Sequence, residues 1–206
     1  VLVLSDRKIE KGKLPIHALL ATGAVQDRLI REGLRCDCNI LVETATARDP
    51  HHFACLIGYG ASVIYPYLAY ASLYEMKRSG EIQRKEESEL SHAYRKGINK
   101  GLYKIISKMG IATVSSYRGA ELFEIVGLSD DVVGLCFADT VSRIKGARFT
   151  DLQAEQQALA DRAWSARKAI AQGGLMKFVH GEEYHAYNPD IIGTLHQAVR
   201  SGEWSD

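Results

Sequence analysis

Residues 38–67 read CNILVETATARDPHHFACLIGYGASVIYPY, and the rhythm of this stretch decides the fold. Cys38 to Val42 is a short apolar run of the kind that forms a buried strand. It ends in a small polar loop, Glu43-Thr44-Ala45-Thr46. Asp49-Pro50 makes a good helix start, with a capping carboxylate and a proline in the first turn, and leads into His51 to Tyr59. Gly58-Tyr59-Gly60 closes that helix, Val63 to Tyr65 forms the next strand, and Pro66 opens another helix. Strands separated by a helix, with no hairpin turn between them, call for parallel pairing.

The same grammar extends outward in both directions. Val1 to Leu4 reads as a strand and Ser5-Asp6-Arg7 as the polar loop after it. Pro15 sits in a first helical turn, and Ile16, Leu19, Leu20, Gly23, Ala24, Leu29 and Ile30 recur at helical spacing up to Gly33. A helix from Pro66 to about Arg78 follows the third strand. The apolar stripe Leu90, Tyr94, Ile98, Leu102, Ile105, Ile106 and Met109 defines a long amphipathic helix ended by Gly110. Its lysines at 96, 100, 104 and 108 stand away from that stripe. Ile111 to Ser115 is expected as a fourth strand and Gly119 to Val126 as a short helix closed by Gly127. Asp151 to Ala169 and Asn188 to Arg200 read as the last two helices. The expected class is α/β: a parallel sheet of about four to five strands covered by helices, open or half-barrel, with a helical carboxyl-terminal extension. Four such strands are too few for a closed eight-stranded barrel. The expected division is an α/β domain over 1–148 and a helical linker over 149–206.

Composition narrows the function classes without naming one. Of 206 residues, 26 are Lys or Arg and 25 Asp or Glu, so no basic excess points to nucleic acid. An apolar fraction of 46% is too high for a disordered chain. Four cysteines are too few for a disulfide-stapled secreted scaffold and suit a cytoplasmic protein. Phe53 to Tyr74 carries no charged side chain, yet Gly58, Gly60, Ser62, Pro66 and five tyrosines interrupt it, so buried elements explain it better than a membrane span. The opening Val1-Leu2-Val3-Leu4 resembles a strand rather than a signal peptide, which suggests a piece of a longer polypeptide.

In parallel α/β folds chemistry collects in the loops after the carboxyl ends of strands. Here those loops are expected at Ser5 to Arg7, Glu43 to Arg48 and Ser115 to Gly119. Their polar groups Asp6, Glu43, Arg48, Tyr117 and Arg118 either meet a ligand or neighbour, or cap helices and pair with each other. Residues 39–66 have the rhythm of a flavin-phosphate half-barrel, but a phosphate site needs glycine-rich loops that free backbone N–H groups. The loop at Glu43 brings a carboxylate and no glycine, so the layout is that of a cofactor barrel without its cofactor site. Cys36-Asp37-Cys38, Cys55 and Cys136, the pair His51-His52, and His180 with His185 fit no standard metal spacing. Ser165 to Lys168 matches S-x-x-K without its companion motifs, and Gly97 to Gly101 lacks the Gly-Lys-Ser/Thr ending of a phosphate loop.

Several long phrases together resemble one family. They are Leu4-Ser5-Asp6-Arg7, residues 15–35 (PIHALLATGAVQDRLIREGLR), 42–67 (VETATARDPHHFACLIGYGASVIYPY), 97–116 (GINKGLYKIISKMGIATVSS), 117–128 (YRGAELFEIVGL) and 184–189 (YHAYNP). They are similar to the large subunit of bacterial, NADPH-type glutamate synthase, over its central domain and the start of its FMN domain.

The resemblance implies a multidomain oxidoreductase. A glutaminase domain releases ammonia, and an FMN domain with a three-iron iron-sulfur cluster uses it to form glutamate from oxoglutarate. NADPH electrons arrive through a small flavoprotein subunit carrying FAD. It implies a cofactor-free central scaffold beside an ammonia passage, partnered by the glutaminase and FMN domains and that subunit, with no nucleic acid or membrane. No residue here matches the family's catalytic, flavin or cluster positions. The loops Glu43, Thr44, Ala45, Thr46 and Ser115, Ser116, Tyr117, Arg118 are the expected domain-facing or passage-facing segments. The rival readings are an autonomous FMN-binding half-barrel oxidoreductase and a docking module that uses the lysine-faced helix.

Overall fold

A computed structural model describes residues 1–83, 86–166 and 177–203. Three parallel strands, β1 (Leu2–Ser5), β2 (Ile40–Glu43) and β3 (Val63–Tyr65), lie in the order β1-β2-β3. Helices α1 (Ala18–Arg31) and α2 (Pro50–Gly58) make the two crossovers. Sequential strand order combined with right-handed crossovers winds the connecting helices onto one side of the sheet, as in a segment of a barrel. Helices α3 (Tyr67–Arg78) and α4 (Glu87–Lys108) follow, with α4 packed on both α2 and α3.

The core follows from the two periodicities. Ile40 and Val42 alternate inward from β2 and are fully enclosed with Ala18, Phe53, Leu56 and Ile98. Ile98 belongs to the apolar stripe of α4, so the long helix seals the outside of α2. Asp49 caps α2 as its sequence predicts, accepting from the N–H groups of His51 and His52, with Pro50 in the first turn. Arg35 ties this layer together: it donates to Gln26 on α1 and to the carbonyls of Cys38 and Gly60.

The segment after α4 departs from the expected order. Val114–Tyr117 is a short helix, α5, and Glu124–Leu128 is strand β4, the reverse of a strand at 111–115 and a helix at 119–126. Gly110 ends α4 in the left-handed region, and the Thr113 hydroxyl then accepts from the Ser116 N–H, which turns the chain at once. Gly119 and Glu121 take positive φ and donate to the carbonyls of Ile57 and Gly58 at the end of α2. Helix geometry cannot pass through those two residues. The β-branched Ile125-Val126 pair instead joins β5 (Val141–Ala147), a strand absent from the sequence-based expectation, across the short helix α6 (Asp130–Cys136).

The α/β class therefore holds, with five strands among the described residues divided between a three-stranded and a two-stranded parallel sheet. Helix α7 (Phe149–Ala163) ends earlier than the expected 151–169, of which 167–169 lie outside the described residues. One compact unit spans Val1–Trp164 and a second Ser165–Asp206. The second unit carries helix α8 (Pro189–Ser201), capped by the Asn188 side chain and closed by Gly202 at φ 70°. Among the described residues no helix is long and apolar enough to cross a membrane.

Candidate functional site at the strand ends

The carboxyl ends of β1 and β2 and the start of α3 converge on two carboxylates. Asp6 leaves β1 and accepts from the Thr44 hydroxyl at 2.6 Å and from the Ala45 N–H at 3.1 Å. The Tyr67 phenol lies beside this carboxylate, whose charge acts on it. Glu43, at the end of β2, accepts from the Ser5 hydroxyl at 2.6 Å and from Arg7 at 2.8 Å. The Arg7 guanidinium lies 5.3 Å from the centre of the Tyr67 ring, within reach of a cation–π contact. A cleft of about 420 Å³ adjoins the cluster, bounded by Val3, Leu14, Pro15 and the two carboxylates.

The electrostatics follow from these contacts. The Ser5 hydrogen bond, reinforced by Arg7, holds the Glu43 carboxyl below its ordinary range. The Tyr67 phenol is pushed up to about 12, first by burial and then by the Asp6 carboxylate beside it. Both shifts favour the charge states that this arrangement uses, an ionised Glu43 that accepts from Ser5 and Arg7 and a neutral Tyr67 beside the Asp6 carboxylate. The cluster is thus internally satisfied.

That satisfaction decides what the loop can hold. A phosphate needs several free N–H groups converging on it. In residues 44–46 the Thr44 N–H donates to the Tyr65 carbonyl, that of Ala45 to Asp6, and that of Thr46 to the Thr44 hydroxyl. The Asp6 carboxylate occupies the position an anion would take. These residues do not fit an FMN phosphate. An iron-sulfur cluster fits no better: Cys136 is buried and Cys36 exposed, in different parts of the unit, and among the described residues no three metal-binding side chains converge.

The two expected loops fare differently. Glu43, Thr44, Ala45 and Thr46 meet Asp6 and Arg7 at one rim. Ser115, Ser116, Tyr117 and Arg118 lie on and just beyond α5 rather than after a strand. Ser115, Ser116 and Arg118 are exposed, whereas Tyr117 is only 1% exposed and donates to the Ala54 carbonyl at 3.1 Å. Arg48 does not join the rim; its carbonyl accepts from Tyr94. Tyr67 is the member of the cluster that sequence reading missed. Its signal was its position, two residues past the end of a predicted strand.

Fold and site together define an α/β domain wound like a barrel segment, with a strand-end rim whose loop amides are taken up by its own groups. The family model of the glutamate synthase central domain matches residues 1–129, and the chain belongs to that family. It is 43% identical over 213 residues to a ferredoxin-dependent glutamate synthase of Pyropia yezoensis, covering 97% of this chain and 14% of that protein. To the NADPH glutamate synthase large chain of Bacillus subtilis it is 42% identical, covering 100% of this chain and 14% of the relative. To the NADH glutamate synthase of Saccharomyces cerevisiae it is 35% identical over 98% of this chain and 10% of the relative. The chain therefore spans about one seventh of the length of the first two relatives.

Proposed function

We propose that this chain serves as the cofactor-free central scaffold of a glutamate synthase large chain, of the bacterial NADPH type, and catalyses nothing alone. The observation that carries this reading is the commitment of the loop amides after β2 to Asp6, Tyr65 and Thr44. A half-barrel built to bind FMN would leave those amides free, so the autonomous oxidoreductase is the weaker reading. In the parent enzyme FMN and the three-iron cluster belong to the synthase part, and NADPH and FAD to the small flavoprotein subunit. The glutaminase and FMN domains are its neighbours in the same chain, with residues 149–206 leading toward the latter, and the compartment is the cytoplasm.

The role left to such a scaffold is positional. Ammonia released near neutral pH protonates in bulk water, and ammonium is no nucleophile, so a dry route between the two sites is required. The rims at Glu43 to Thr46 and Ser115 to Arg118 are the segments proposed to face a neighbouring domain or that route. Alanine at Glu43, Thr44, Ser116 and Arg118 in the full-length enzyme is expected to lower glutamine-driven glutamate formation more than ammonia-driven formation. An unchanged ratio would remove these loops from the passage. Stoichiometric quenching of FMN fluorescence by the 206-residue chain would restore the oxidoreductase reading; none is expected.

A further inference from the structure

The three-stranded sheet is clothed on one face and bare on the other. Leu4, Val42 and Ile64 form a cross-strand row in register and join the helix-covered core. The alternate row, Val3, Leu41 and Val63, points to the opposite face. There Val3 is 58% and Val63 51% exposed on the outer strands, Leu41 between them is half-buried, and Val1, of the same parity as Val3, is exposed as well. No charged residue occupies this row, and none of the lysines or prolines that protect solvent-facing sheet surfaces interrupts it. Parallel sheets are covered on both faces, because their strands read as continuous apolar runs with no polar side to give to water. Since the winding places the crossover helices on the other side, they cannot cover this face.

We infer that this bare face is a buried interface in the full-length protein, covered in cis by an apolar layer of the parent polypeptide outside these 206 residues. The occupant follows from length: the relatives carry about seven times as much chain as is present here, so most of the polypeptide able to pack on the face lies outside it. The charged groups at the edge of the face support an apolar occupant. Glu43 and Arg7 neutralise each other there and call for no counter-charge from a partner. The inference deepens the scaffold reading and rests on it, by naming the surface through which the scaffold is held.

Hydroxyl-radical footprinting tests it without substitution. Tyr65 ends the strand that carries Val63 and is 41% exposed, and Tyr103 on α4, 62% exposed, serves as the reference. In the 206-residue chain both tyrosines and Val63 should be modified readily. In the full-length large chain, modification of Val63 and Tyr65 should fall several-fold relative to Tyr103. Equal modification in the two proteins overturns the inference. So does protection within the 206-residue chain that rises with concentration together with a dimer in sedimentation, since the occupant is then a second copy. A V63K variant adds a second readout: it should leave the unfolding midpoint of the 206-residue chain nearly unchanged and lower that of the full-length protein. Failure of the glutamine-to-ammonia ratio test would leave these outcomes untouched, so the two ideas fail separately.

Discussion

Gly23→Ala is expected to destabilise the chain by about 2–3 kcal/mol, although alanine is the better helix former by about 1 kcal/mol. Gly23 lies inside α1, where a Cβ would fall on the carbonyl oxygen of Cys136 at the end of α6 and 3.1 Å from the Phe137 ring. The obstacle is backbone, not a side chain that can swing away, so α1 and α6 must part. Their separation would loosen the cluster of Tyr59, Val133, Cys136 and Phe137 that joins the two sheets' helices. Gly97→Ala on α4 is the control, because a Cβ there meets nothing within 4 Å. Urea unfolding should show a lower midpoint for the first variant and an equal or higher one for the second. A Gly23→Ala protein as stable as the parent would mean that α1 and α6 are not in backbone contact.

Tyr117→Ala is expected to cost about 3–5 kcal/mol, the range for truncating a fully buried aromatic side chain. Tyr117 is enclosed with Ala54 and Ile106, and its hydroxyl donates to the Ala54 carbonyl on α2. Truncation leaves a cavity between α2 and α4 and removes the hydroxyl's bond to the Ala54 carbonyl at once. Tyr117→Phe keeps the ring and should lose only the hydrogen bond, about 1 kcal/mol. Burial also holds the phenol neutral, raising its pKa from 10.0 to about 12. A raised folded-state pKa means that the stabilisation is complete below pH 10 and is lost as pH climbs toward 12. The Phe variant should therefore show a shallower alkaline decline than the parent in denaturant titrations. An identical decline would show that Tyr117 ionises freely in the folded protein.

Legibility from sequence tracked how local the determining interaction was. The strands at β1, β2 and β3 and the helix starts at Asp49 and Asn188 were readable because each is specified by its own few residues. The stretch from Ile111 to Leu128 was not. Its β-branched residues suit a strand at 111–115 as well as one at 124–128, and the choice depends on where Gly119 and Glu121 dock. That docking uses the last carbonyls of α2, some sixty positions upstream, and no window of sequence contains it. Strand β5 was missed for a related reason: Arg143, Lys145 and Gly146 dilute its apolar signal, and its pairing partner was itself misread.

The candidate site divides along the same line. Polar residues after strand ends marked Asp6 and Glu43 as rim groups, and the want of glycine at 43–46 argued against a phosphate. Whether those groups faced outward or bound each other stayed open. Local sequence carries the α/β class, the parallel winding of the first three strands, the long amphipathic helix and the family to which the phrases belong. These rest on short-range periodicity, capping and turn chemistry, which act within a few residues. Long-range contacts alone set Asp6 in the anion position of its neighbour loop, bring Tyr67 to the cluster, make Tyr117 core rather than rim, and leave one sheet face without a covering layer. Each of these depends on groups far apart in the chain meeting within hydrogen-bonding or van der Waals range, or failing to meet, and linear spacing does not encode that distance.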